Sequence, residues 1–100
     1  MRPPLGKPMF YIYILQSLKD LRTYVGFTNS IEQRLKQHNS GYVRSTKSRI
    51  PLKLVHSESF ETSAEAKKRE LYWKSGAGRK KLKAFYTETN NHYPRLLQKV

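Results

Sequence analysis

At one hundred residues the chain has room for one small domain and excludes a second. It carries no cysteine, which excludes a disulfide framework and a cysteine-built zinc site. Twenty Lys and Arg stand against seven acids, a formal net charge of +13, and aromatic residues make up 12%. Phosphate-attracting charge combined with base-stacking rings points to nucleic acid as the partner, DNA first and RNA second. An anionic membrane surface or an acidic protein is the weaker alternative, and nothing marks an obligate protein partner. No apolar run nears the ~20 residues of a membrane span. The opening MRPPLGKPM lacks the apolar segment of a secretion signal, so the expected location is the cytoplasm.

Residues 1–9 hold three prolines and a glycine without periodicity and are expected to form a flexible arm ahead of a domain spanning 10–87. Residues 10–16 make a nearly continuous apolar run, as expected of a central strand covered on both faces. Residues 22–28 form a second strand, and the short polar stretch between them favours an antiparallel hairpin. Asn29 or Ser30 caps a helix that runs to about Ser40 and stops at Gly41; Ser30-x-x-Gln33 fits a capping box. Residues 41–51 are a polar, basic loop, and residues 52–60 a third strand. Thr62 or Ser63 then caps a second helix reaching Ser75. Gly76-Ala77-Gly78 should break it before a basic third helix over 79–86, and residues 88–100 form a tail. The expected architecture is α+β: a small three-stranded antiparallel sheet flanked by helices, in the order β-β-α-β-α-α.

The two tyrosines Tyr13 and Tyr24 occupy comparable places on the paired strands. Arg34 and His38 follow one turn apart on the first helix, where Ile31, Leu35 and His38 share a face and Arg34 lies at its edge. Two phenols, a guanidinium and an imidazole at one end of a small sheet read as half of an active site for a phosphodiester. An acid is still required. On the second helix, with Ala66 at zero, Trp73 falls at about −20° and Glu70 at about +40°, so Glu70 shares the apolar stripe. A carboxylate there needs a cation. An ion pair with Arg34 or a nearby lysine is the plain alternative to a metal ligand.

These residues resemble the GIY-YIG nuclease superfamily, and within it the small standalone proteins similar to the nuclease domain of the UvrC excision-repair subunit. The first motif stands as Tyr11-Ile12-Tyr13 and the second as Tyr24-Val25-Gly26, with ten residues between them. Arg34, the run QHNSG from Gln37, the loop RSTKSRIPLKLV from Arg44 and Lys68-Arg69-Glu70 match in the same order; the resemblance covers roughly residues 9–86. Two positions depart from the pattern. Tyr11 stands where the motif's first glycine would be, and Phe27 where UvrC-like domains often carry a lysine.

The resemblance implies a metal-dependent DNA endonuclease with a role in DNA repair or recombination; the alternative is a DNA- or RNA-binding module that keeps the fold without the chemistry. It places the metal ligand on Glu70, and with so few acids the chain suits a single divalent ion, Mg²⁺ or Mn²⁺. It suggests Tyr24 as general base, with Tyr13 orienting the water or sharing that role. Arg34 would neutralise the phosphate, and His38 would accept a proton or fix a tyrosine's hydrogen bond. Arg44, Lys47, Arg49, Arg79, Lys80, Lys81 and Lys83 are the expected contacts to the nucleic-acid backbone, against a merely solvated basic surface. His56 and His92 are assigned no chemistry.

Overall fold

The computed structural model describes residues 8–92, with side chains through residue 84; residues 1–7 of the expected arm and 93–100 of the expected tail lie outside it. Strand β1 spans Phe10–Ser17 and β2 Thr23–Thr28. Helix α1 spans Ile31–Asn39, β3 Leu52–Phe60, α2 Ser63–Lys74 and α3 Gly76–His92, with a single 3-10 turn at Lys47–Arg49. The sheet is antiparallel in the order β2-β1-β3, giving the α+β order read from the sequence. Among the described residues no helix is long and apolar enough to cross a membrane. The described residues group as two compact units that divide between Glu70 and Leu71.

In the first unit β1 is central, and Ile12 to Ser17 are buried because both of its neighbours and both of its faces are covered. The hairpin turn is built by Ser17. Its Oγ accepts from the backbone N–H groups of Lys19 (3.0 Å) and Asp20 (3.2 Å) and donates to Arg49 O (2.7 Å). Leu21 sits at φ 63 to close the turn, and Gln16 Nε2 donates to its carbonyl at 3.0 Å.

Register sorts the side chains. Tyr13 pairs with Gly26 and Leu15 with Tyr24, so both tyrosines share one face. On that face Tyr13, Leu15 and Leu52 form a core against Tyr24, Ile31, Leu35 and Ile50. A bulge between Ile14 and Leu15 sets Ile14 opposite His56 but Leu15 opposite Leu54. That single extra residue flips the parity of β3. Leu52 can thereby join the tyrosine face while Glu58, opposite Ile12, lies on the other. There Glu58 accepts from Arg69 at 2.7 and 3.3 Å and meets His56 Nε2 at 2.7 Å, a partner for His56 that the sequence reading lacked.

Helix α1 begins where Ser30 Oγ accepts from Gln33 N at 3.4 Å and ends at Ser40, with Gly41 at φ 84. Its end is pinned to β3 by Asn39, whose amide donates to Leu52 O (2.9 Å) and accepts from Leu52 N (2.7 Å). Thr62 caps α2: its Oγ1 accepts from Glu65 N at 3.2 Å.

In the second unit the expected break at Gly76-Ala77-Gly78 is displaced. α2 ends one residue before Ser75, whose Oγ accepts from Gly78 N at 3.3 Å, and α3 starts at Gly76. A Cβ on Gly78 would collide with the Tyr72 carbonyl and Trp73 backbone. Close packing, not helix breaking, is what that glycine serves.

Candidate active site

Tyr13 projects from the middle of β1 and is 2% exposed. Its phenol lies across β2 at Gly26, where a Cβ would overlap Tyr13 Cζ and Oη. The close approach needs a residue without a side chain. Gly26→Ala is therefore expected to drive Tyr13 from its place, costing about 1–3 kcal/mol of stability from overpacking. Urea unfolding checks this: a variant as stable as the parent would show that the ring has room to move.

Arg34 and His38 reach the same phenol from α1. Arg34 Nε donates to Tyr13 Oη at 3.4 Å, and Tyr13 Oη lies 3.0 Å from His38 Nε2. Tyr24 packs edge-on to His38 with ring centroids 5.0 Å apart, and 6.3 Å from the Tyr13 ring. The four side chains thus form one connected cluster. Gln37 supports it: its Oε1 accepts from Arg34 Nη1 at 2.9 Å. Thr46, fully buried, sits behind His38 with Oγ1 2.7 Å from Nδ1, and its hydroxyl also lies 3.5 Å from Val43 O. Thr46 has a single proton. Donated to Val43 O, it leaves Oγ1 to accept from Nδ1–H, and Nε2 is then a lone pair for the Tyr13 hydroxyl; the other tautomer reverses each bond.

The sequence reading missed Gln37 and Thr46. Gln37 stands three residues after Arg34 on a helix, a spacing that brings side chains together. Thr46 lies in an irregular loop with no periodicity to mark it as buried.

Burial, and secondarily the Arg34 charge, lowers the His38 pKa to about 4. Burial likewise raises the Tyr13 pKa; the Arg34 hydrogen bond opposes this, and the charges of Tyr24 and Glu70 add to it. The bond to Tyr13 holds the Arg34 pKa above its ordinary value. At neutral pH the cluster is therefore a phenol, a neutral imidazole and a guanidinium cation.

The buried imidazole has a stability consequence. An unfolded His38, with pKa near 6.5, binds a proton that the folded one refuses until about pH 4. Its contribution is complete above pH 6.5 and is lost as pH falls through that window, by about 3 kcal/mol in total. Unfolding free energies measured at pH 7 and pH 4.5 should differ, and His38→Gln should flatten the slope. An unchanged slope would mean that His38 is not the group responsible.

Glu70, on α2, is half-buried, and its charge reaches Tyr13. Among the described residues no group of three or more His, Cys, Asp and Glu side chains could cage a metal. One carboxylate fits a hard divalent ion completed by water and substrate phosphate, as Mg²⁺ accepts; it does not fit an all-protein cage. Of the expected backbone contacts, Arg44 and Lys47 are exposed on the loop that carries Thr46. Arg49 is half-exposed, with Nε 3.9 Å from Asp20 Oδ2. Arg79, Lys80, Lys81 and Lys83 are exposed on α3 in the second unit, where Lys81 Nζ lies 5.7 Å from the Trp73 ring centroid.

A family model described as the GIY-YIG catalytic domain matches residues 9–83. A UPF0213 protein of Clostridium perfringens is 45% identical over 75 residues, covering 74% of this chain and 80% of that one. A UPF0213 protein of Staphylococcus saprophyticus is 45% identical over 74 residues, covering 73% and 89%. The solution NMR structure of a UPF0213 protein from Bacillus halodurans shows 32% identity over 77% of this chain and 84% of that one, with a TM-score of 0.47.

Proposed function

The chain belongs to the GIY-YIG catalytic domain family, and on that premise we propose that it is a metal-dependent endonuclease that hydrolyses DNA phosphodiesters in the cytoplasm. The observation that carries this reading is the cluster in which Arg34 and His38 both address the Tyr13 hydroxyl, with Tyr24 against His38.

Arg34 directs Nε and Nη1 at Tyr13 and Gln37. Tyr24 also hydrogen-bonds the Arg34 side chain, and the guanidinium, a planar fork of donors, is the group suited to meet the non-bridging oxygens of a phosphate. Held by two partners, Tyr13 orients the attacking water, and Tyr24 is the candidate to take the water's proton. For His38 the sequence left two roles, and the lowered pKa favours the second. Storing a proton at pH 7 on a group with pKa about 4 would cost about 4 kcal/mol, so His38 fixes the Tyr13 hydrogen bond instead. Glu70 would hold the divalent ion, whose chemistry is to stabilise charge on the leaving oxygen.

The test is a panel of plasmid, branched, flapped and single-stranded DNA incubated with Mg²⁺ or Mn²⁺. Metal-dependent strand cleavage is expected. Binding without cleavage of any member would leave the non-catalytic module. Binding itself should weaken steeply between 50 and 200 mM salt, since the +13 charge binds by releasing counterions; a flat salt response in a titration would remove the electrostatic premise.

A further inference from the structure

Beside Arg34 a cavity of about 370 Å³ is lined by residues from the start of β1, the end of β2 and α1. It reaches round the end of β2 to Phe10 and Phe27, which lie on the Ile12 face of the sheet and stack with centroids 6.2 Å apart and planes 7° from parallel. Asn29, Gln33, Arg34 and Gln37 also line it, and among the described residues no carboxylate does. Gln37 is engaged by Arg34, whereas the side-chain amides of Asn29 and Gln33 make no hydrogen bond among the described residues. Lys67 Nζ lies 5.5 Å from the Phe27 centroid and adds positive charge beside that ring.

We propose that this cavity binds the base of a nucleotide flanking the phosphodiester at Arg34, its face against Phe10 and Phe27 and its edge read by Asn29 and Gln33. The proposal rests on the nuclease reading for what Arg34 holds. The volume is within the range of small-ligand pockets. An aromatic wall recognises a planar π-face with little regard to sequence. Amides carry both a donor and an acceptor, the pairing that matches a base edge rather than a phosphate. A base reaches such a site only when it is out of the helical stack. The substrate class that follows is DNA with an unpaired or extruded nucleotide next to the cleaved bond.

The experiment compares a mixed-sequence single-stranded DNA hexamer with the same hexamer made abasic throughout, binding each to the full chain without metal. The base-bearing hexamer should bind roughly 5- to 150-fold more tightly and shift the Asn29 and Gln33 side-chain amide resonances. Phe27→Leu keeps apolar volume without a π-face, and should lose most of that preference while binding the abasic hexamer as the parent does. Gln33→Ala, at an exposed position, should narrow preference among homopolymeric hexamers and serves where Phe27→Leu disturbs folding. Equal binding of the two hexamers by the parent, or full preference retained in both variants, overturns the proposal. Its fate is separable from that of the nuclease. A parent that prefers bases but cleaves nothing keeps the cavity and sinks the enzyme; cleavage without base preference does the reverse.

Discussion

Arg34→Ala is expected to lower cleavage by roughly 10³-fold or more, the scale on which an arginine stabilises charge in phosphoryl transfer. DNA affinity should fall only a few-fold. The asymmetry follows from numbers and geometry. The chain holds twenty Lys and Arg for general attraction, but Arg34 is the guanidinium bonded to the Tyr13 hydroxyl. Its loss removes the phosphate fork, frees Tyr13 from one of its two bonds and releases Gln37. It also removes one of the two causes that depress the His38 pKa, so that value should rise. Folding should suffer little, about 1 kcal/mol, because the lost hydrogen bonds are partly exposed. Arg34→Lys keeps the charge without the planar fork and should also cleave poorly. Single-turnover cleavage and fluorescence anisotropy read the two quantities separately. Activity within a few-fold of the parent would show that Arg34 is structural and that the site lies elsewhere.

Much of this arrangement was legible because it depends on periodicity. The β3 limits at Leu52 and Phe60 follow from a run bounded by Pro51 and the Thr62 cap, and the burial of His38 follows from its place on the Ile31–Leu35 stripe. The convergence of Tyr13 with Arg34 and His38 needed more. Strand composition says that a tyrosine is in a strand, but only the register, Tyr13 against Gly26 and Leu15 against Tyr24, puts both rings on the α1 face. The bulge beside Leu15, which brings Leu52 into that core, has no residue signature. Thr46 and Asn39 act through tertiary hydrogen bonds to partners distant in sequence, which no local pattern encodes. At Gly78 local propensity pointed the wrong way, because contact with the Trp73 backbone outweighs the cost of glycine in a helix. Electrostatics is equally hidden from local pattern: at Tyr13 the Arg34 bond and charge lower the pKa, and burial outweighs them.

Glu70→Gln separates the two readings of the acid most sharply. Glu70 is half-buried on α2, and its negative charge contributes to raising the Tyr13 pKa. Glutamine has nearly the same shape but is neutral and binds hard cations poorly. If Glu70 holds the divalent ion, the variant should melt within a few degrees of the parent, bind DNA and fail to cleave at any Mg²⁺ or Mn²⁺ concentration. If Glu70 serves instead as the anion of a structural ion pair, neutralising it strands a cation, at a cost of up to ~3–5 kcal/mol for a fully buried pair. Melting would then fall well before any effect on chemistry could be read. A third measurement is independent of both activity and melting. Removing a negative charge that raises the Tyr13 pKa should lower it, so an ultraviolet titration of the variant should show a tyrosine ionising earlier than in the parent. A folded, inactive variant with an earlier phenol titration supports the nuclease. A variant that melts early, from a parent that shows no metal-dependent cleavage, would leave a nucleic-acid-binding module on a GIY-YIG fold.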